Sequence, residues 1–341
     1  MTKSLILKIL KYVISLLLGI IIIYFLFRNQ DPVKLIEEAQ KVEVQWVIWS
    51  MIFGALAYVI RGLRWIILIK ALGYSTSKIN SIAAVSIGYF TNLFIPRAGE
   101  ISRCTSLYQA EKVPVDKLFG TILMERIIDF IALISLLLLT LIIKFDDIIT
   151  FYNKLQEQQT GNTEEVNNLL LLGALTLAAL LCYLILKWLK KSKLYALISS
   201  FIQGFKAGFK SINNIENKKL FWSYTLAIWV MYFLMTYVCF FSMNETAGLS
   251  ISDGIFLLVL GGVGMVIPTP GGIGSYHAIV MIGLSVLGVG TIYLGENGDP
   301  TNPALIFPTI VHVAQTLVAM IMGSLGLLIL FLSKKKSNVS S

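Results

Sequence analysis

Two arginines, Arg61 and Arg64, interrupt the apolar run AYVIRGLRWIILI. Three apart, they share one face if that run is helical. Glu125, Arg126 and Asp129 interrupt a second run that begins near Leu118. There Glu125 and Asp129 share a face at i, i+4, and the spacing pairs Arg126 with Asp129 at i, i+3. Arg97, Glu100 and Arg103 flank a Pro/Gly break, IPRAGEIS. Ionisable groups at bilayer depth cost about 2.5 kcal/mol or more each, so they pair, meet water or serve a polar ligand. Arginines 61, 64, 97, 103 and 126 outnumber the carboxylates of Glu100, Glu125 and Asp129. A residual positive charge suits an anionic headgroup, phosphate above all, because guanidinium binds phosphate in a bidentate fork. Two plainer readings stand beside this one. Arg61 and Arg64 snorkel to the interface near Lys70, and Glu125, Arg126 and Asp129 form a purely structural ion-pair network.

The break at Ile95–Ser102 has a counterpart at Ile267–Ser275, IPTPGGIGS. Both read I-P-x-x-G-x-I, 172 residues apart (267 − 95). Proline removes a backbone N–H, and glycine adopts positive φ cheaply. A helix broken at membrane depth survives only where protein or water covers its polar backbone. The freed N–H groups of a half-helix then favour anions. Pro268, Pro270, Gly271, Gly272 and Gly274 fit that chemistry, as do Pro96 and Gly99; the alternative is an ordinary extramembrane turn.

These groups need membrane helices to hold them. Of 341 residues 56% are hydrophobic and 14% charged. A soluble domain cannot hide that much apolar surface, so the composition predicts an all-α polytopic membrane protein. Apolar runs of spanning length fall near 5–27, 46–69, 118–143, 168–189, 220–242 and 303–332. Within the first, the uncharged run Val13–Phe27 follows Lys3, Lys8 and Lys11 but is not followed by a small-x-small cleavage site, so it reads as a retained helix rather than a signal peptide. Shorter or interrupted apolar segments lie near 81–95, 254–267 and 276–294. The fold expected is about six full spans plus two Pro/Gly-broken hairpins, re-entrant or short-spanning. The chain reads as a single integral membrane domain over 1–341, its halves at about 5–143 and 168–332.

Lysine and arginine bias sets the sides. The loop 187–219 carries Lys187, Lys190, Lys191, Lys193, Lys206, Lys210, Lys218 and Lys219 against Glu216, and the tail carries Lys334, Lys335 and Lys336. Both read as cytoplasmic. The acidic loop 144–167 reads as external. Followed along the chain, both termini lie in the cytoplasm, and segments 81–117 and 254–295 enter from opposite faces. The first dips in and returns or lies at the surface; the second is a re-entrant hairpin or two short spans. Opposite entry is the pattern of an inverted-topology repeat. Trp49-Ser50 recurring as Trp222-Ser223, and GYSTS as GLSIS, follow the same order. Between the halves, residues 190–215 read as a basic amphipathic segment at the inner headgroups, or as a solvated connector.

The net charge of +9 reads as inside-facing loops at a membrane, with no soluble basic module to bind nucleic acid. Cys104, Cys182 and Cys239 suggest neither a disulfide framework nor a metal site, and no cofactor is expected. No Walker A motif is present. In the second half the polar groups are His277, His312 and Gln315, with His312 and Gln315 on one face. Either histidine also reads as a core residue bonded to a carbonyl. An enzyme acting on lipid-linked substrates would use Asp146-Asp147 as a metal pair or Ser275 and His277 as nucleophile and base, but no third group is apparent. An accessory factor for envelope assembly is a third reading.

At YVIRGLRW, GYFTNLFIPRAGEISR, ERIIDF and GMVIPTPGGIGSYHA the chain resembles the membrane domain of lysylphosphatidylglycerol synthases and their stand-alone flippase-like relatives. The resemblance covers about residues 10–332, without the soluble aminoacyl-transferase domain, so synthesis of the lipid is not expected. It implies a translocase of the bacterial inner membrane that moves an anionic or aminoacylated phospholipid, or a lipid-linked phosphate carrier, between leaflets. Where this sequence has IVHVAQ the family often places an arginine, so His312 departs from its pattern. The residues expected to line the substrate path are Arg61, Arg64, Pro96, Arg97, Gly99, Glu100, Arg103, Glu125, Arg126, Asp129, Pro268, Pro270, Gly271, Gly272, Gly274, His277, His312 and Gln315. No residue is expected to be catalytic, and self-association into a homo-oligomer is a further expectation.

Overall fold

A computed structural model of the chain describes residues 3–160, 215–292 and 301–339. They are helical, with no strand among them. The span expected near 168–189, the segment 190–215 and Cys182 lie essentially outside the described residues, which resume at Ile215. In chain order the helices are α1 (Lys3–Phe27), α2 (Pro32–Gln40), α3 (Val44–Lys70), α4 (Lys78–Phe94), α5 (Gly99–Glu111), α6 (Val115–Ile143), α7 (Phe145–Thr160), α8 (Lys218–Tyr237), α9 (Asn244–Ala247), α10 (Ile251–Val266), α11 (Ser275–Val286) and α12 (Pro303–Val339). A 3₁₀ turn, Val238–Ser242, extends α8.

The chain divides into two compact units, residues 1–143 with 215–341, and residues 144–214. In the second unit α7 is described. The acidic stretch expected to be a loop is a helix there. Asp146 and Asp147 stand in its first turn, where the helix dipole favours carboxylates, and Lys144 pairs with Asp147 at 3.1 Å.

In the first unit four helices are long and apolar enough to cross a membrane: Val44–Lys70, Val115–Ile143, Lys218–Ser242 and Pro303–Ser333. The end of α1 together with α2 makes a fifth candidate, bent by 87°. The loop expected at 28–45 therefore holds a helix. Asp31 caps it by accepting from the Val33 and Lys34 amides, and Pro32 occupies the first turn, where a missing N–H is harmless.

Both Pro/Gly breaks lie at tips of helical hairpins. The first joins α4 to α5, which pack on each other, and the second joins α10 to α11 in the same way. Helix α4 does not lie at the surface: Ser81 and Ala83–Gly88 are buried, and it packs against α3, α5 and α12. Helix α10 packs against α6, α8 and α11. The two breaks approach each other, since a Cβ on Gly271 would stand 3.6 Å from the Leu93 Cα at the end of α4. Helix α1 crosses the second break, and Ser15 Oγ donates to the Pro268 carbonyl there.

Close helix crossing in the first hairpin needs glycine. A Cβ on Gly99 would stand 2.3 Å from the Gly88 carbonyl oxygen and 2.5 Å from Asn92 Nδ2. Backbone cannot yield as a side-chain tip can, so overpacking here costs at least the usual 1–3 kcal/mol or so. The variant Gly99→Val is expected to lower the thermal midpoint in detergent and the folded yield by size-exclusion chromatography. A wild-type melt from that variant would show that α4 and α5 do not meet this closely.

Candidate functional site

The predicted charges converge. Helices α3 and α6 each bring two ionisable groups to a shared buried face, and α5 brings Arg103. Arg61 Nη2 donates to Asp129 Oδ2 at 2.7 Å. Arg64 takes the same carboxylate in a fork, Nη1 to Oδ1 at 2.8 Å and Nη2 to Oδ2 at 3.1 Å. The Arg64 Nε stands 3.5 Å from Glu125 Oε1, and Arg103 Nη1 donates to Glu125 Oε2 at 2.7 Å. Arg64 is 0% and Glu125 1% exposed, so the arginines do not snorkel. Asp129 is at the middle of the 29 residues of α6.

Arg126 pairs differently from its i, i+3 expectation. Its Nη2 donates to Glu100 Oε1 at 2.6 Å, with the arginine side chain 47% exposed. Asp129 turns instead toward α3, where Arg61 and Arg64 hold both of its oxygens. Spacing along one helix ranks neighbours on that helix, but a carboxylate in an apolar bundle goes to the buried guanidinium that can fork it.

Aromatic rings line the network. The Arg103 guanidinium lies 3.8 Å from the Trp65 ring centroid, and the Trp65 indole N–H donates to Thr121 at 2.7 Å. Arg61 stands over both Tyr89 and Tyr232, whose hydroxyls are 3.1 Å apart. Thr225 accepts from Arg64 at 3.3 Å. Sequence reasoning missed these positioning residues. The signal available was polar side chains in otherwise apolar segments: Trp65 beside Arg64, and Tyr89 and Asn92 in GYFTN ahead of the break.

Arg61, Tyr89, Asn92, Glu100, Arg103 and Arg126 line a narrow cavity of about 20 Å³, enough for one water molecule. Four arginines face three carboxylates here, a residual charge of +1 (4 − 3). Arg103 Nε and Nη2, Arg61 Nε and Arg64 Nε are buried with no hydrogen-bond partner in the structure, as are the acceptor oxygens Glu100 Oε2 and Glu125 Oε1. Buried donors without partners cost roughly 1–3 kcal/mol each, and an anion's oxygen would relieve that cost. Asn92 Oδ1 accepts from the Gly99 amide at 2.7 Å and so ties the first break to the cavity wall.

Arg97 is exposed at the tip and takes no part in the ion pairs; its φ of 63° is unusual for a residue with a Cβ. Pro96 is half-buried beside it. At the second tip Gly271, Gly272 and Gly274 have positive φ, Pro270 is buried and Pro268 is exposed.

His277 and His312 form a second group, on α11 and α12. Their rings stack with centroids 4.8 Å apart, Tyr276 stands edge-on to both, and neither Nδ1 has a hydrogen-bond partner. They open on a mainly apolar cavity of about 450 Å³ that also touches Ile23, Phe27, Val313 and Leu317. It shares no lining residue with the arginine cavity. Gln315 is half-buried on the same helix. Ser275 does not reach His277. Its hydroxyl meets Thr269 at 2.8 Å and the Gly272 carbonyl at 3.3 Å, so the nucleophile–base contact of an enzyme reading is not formed.

Membrane-length helices, two broken hairpins and charges gathered on α3, α5 and α6 define a multi-pass helical membrane protein with a buried polar site. The sequence matches the family model described as the lysylphosphatidylglycerol synthase TM region over residues 12–323, and the chain belongs to that family. A UPF0104 membrane protein of Methanocaldococcus jannaschii is 31% identical over 125 residues, 36% of this chain and 37% of the relative. That match thus spans little more than a third of the relative's length. No solved structure matches the chain.

Proposed function

We propose that the protein is a flippase-like lipid translocase. It moves an anionic or aminoacylated phospholipid, or a lipid-linked phosphate carrier, between leaflets of the bacterial inner membrane, with both termini in the cytoplasm. The observation that carries this reading is the arginine cavity: buried, net positive, and supplied with guanidinium donors that no protein atom accepts. A headgroup phosphate matches those donors in charge and hydrogen bonding, and its entry requires the cavity to widen beyond its present one-water volume. Glu100 at the mouth releases Arg126 to the phosphate, while Glu125 and Asp129 hold the inner arginines in place. The carboxylates also offer a site for a substrate amine.

An inverted repeat is part of the proposal. It is supported by the cross-packing of the two hairpins: α4 of the first half lies on α12, and α10 of the second lies on α6. In this reading His277, His312 and Gln315 are the second half's contribution to the path.

Leaflet exchange in proteoliposomes tests the function. Fluorescent anionic, zwitterionic and aminoacylated phospholipids and a fluorescent lipid-linked phosphate are compared, with bleaching of the outer leaflet as the readout. Exchange that depends on headgroup is the expected result. Well-folded protein that exchanges none of them, or all of them equally, overturns it. The variant His312→Phe keeps an aromatic ring against His277 and removes one unpartnered buried nitrogen. It is expected to fold with unchanged or slightly raised stability and to exchange lipid several-fold more slowly. Unchanged exchange would take the histidine pair out of the path.

A further inference from the structure

Helix α2 lies across the end of α1 with part of its apolar surface unpartnered. None of its residues is buried; Val33 is 64% and Ile36 59% exposed, and Ala39 follows at the same spacing. Residues three apart share a face, so Val33, Ile36 and Ala39 form one stripe. Lys34 and Glu38 lie on the other side of the helix. Lys41 closes the polar side by pairing with Glu38 at 2.6 Å.

The bend says where this stripe sits. Helix α1 has 25 residues, about 37 Å at 1.5 Å per residue, which suffices to cross a hydrocarbon core of about 30 Å alone. A turn of 87° at its end then sets α2 close to the membrane plane. The neighbouring residues mark the same level. Tyr24 and Phe25 are exposed in the last turn of α1, Trp49 is exposed near the start of α3, and Arg28 stands 5.0 Å from the Phe25 ring. Aromatic rings with an accompanying cation are what the headgroup boundary favours. Helix α2 also touches α12, so it is held against the bundle at that level.

We infer that α2 is an in-plane interfacial helix whose Val33–Ile36–Ala39 stripe rests in the lipid at the boundary of headgroups and acyl chains. The occupant of the stripe is the bilayer itself. A helix of this kind buries its apolar face about 5–10 Å below the headgroups. It pins the α1–α3 connection at one interface while leaving Lys34 and the Glu38–Lys41 pair in water. The inference rests on α1 crossing the membrane and is independent of any transport activity.

The test uses the full-length chain in vesicles of phosphatidylglycerol and phosphatidylcholine, with single cysteines carrying an environment-sensitive fluorophore. The native Cys104 and Cys239 are buried, and all three native cysteines are first replaced by serine or alanine. Labels go to Ile36→Cys, to Lys34→Cys, and to Leu17→Cys in the middle of α1. Nitroxide lipids carry the quencher either near the headgroup or near the chain end. The expected result is blue-shifted emission at position 36, quenched several-fold more by the shallow nitroxide than at position 34. Position 17 answers to the deep one. If position 17 is quenched at depth while positions 36 and 34 are equally wet, the span stands and the proposal falls. Shielding of position 36 that needs a second labelled copy, seen as self-quenching that grows with protein density, assigns the stripe to a dimer contact and also overturns it. Loss of deep quenching at position 17 overturns the proposal together with the span beneath it.

Discussion

Asp129→Asn is expected to cost the protein about 3–5 kcal/mol of stability, the usual penalty for removing one partner of a buried charge pair. In the wild type that carboxylate accepts three hydrogen bonds, one from Arg61 and two from Arg64. Both arginines are at most 4% exposed and neither can reach bulk water. An asparagine keeps the shape and one acceptor oxygen but removes the charge, leaving two guanidinium groups to share what remains of Glu125. Thermal unfolding in detergent, followed by circular dichroism beside size-exclusion yield, reads the loss. The pairing can be separated from generic damage by a double-mutant cycle. With Arg61→Gln already in place, Asp129→Asn should cost less than it does alone, by roughly 0.5–3 kcal/mol of coupling. Additive costs would mean that Arg61 and Asp129 do not depend on each other. A near-wild-type melt for the single variant would mean that the site is far wetter than its packing implies.

Arg126→Ala is expected to do the reverse: little to the fold, much to transport. Its side chain is about half exposed and its one ion pair, with Glu100, sits at the cavity mouth. Exposed pairs contribute only about 0–1 kcal/mol, so the melt should barely move. A charged hydrogen bond to a phosphate is worth about 1.5–3 kcal/mol, which corresponds to roughly 10- to 100-fold in binding. Headgroup-dependent exchange should fall by that order or vanish. Arg126→Lys should recover part of it, since an ammonium keeps the charge but loses the fork. Glu100→Gln should not imitate the alanine variant, because it frees Arg126 rather than removing it. Full exchange by Arg126→Ala from folded protein would remove this residue from the mechanism.

Much of the architecture was legible because a bilayer imposes a simple rule, a long apolar run for each crossing. Helices α3, α6, α8 and α12 lie where those runs predict, within a few residues at their starts. The breaks were legible for an equally local reason, since closely spaced prolines and glycines favour a turn over a helix, a tendency that packing overrides at Gly261-Gly262 in α10 and at Pro308 in α12. Helix α2 was missed because nine residues of mixed polarity are too short to carry a spanning signal, although Asp31-Pro32 is a recognisable helix start. Helix α7 was read as a loop from its acidic character, which says which side of a membrane a segment prefers rather than what shape it takes.

The sequence by itself determined that the chain is a helical membrane protein, that both halves are broken at matched Pro/Gly motifs, and that arginines and carboxylates sit inside apolar segments. Each of these follows from local chemistry: the cost of exposing polar backbone to lipid, and the cost of burying charge. Only the tertiary structure decided the pairing. Asp129 goes to Arg61 and Arg64, Glu125 to Arg103, and Arg126 to Glu100, partners that lie 22 to 68 residues apart. It also placed His277 against His312, 35 residues along the chain (312 − 277), and kept their cavity separate from the arginine one. The reason is that a charge or ring in a low-dielectric bundle is satisfied by whichever group the helix crossings bring within reach. Those crossings depend on where side chains vanish, as at Gly88 and Gly99, so that backbones can touch.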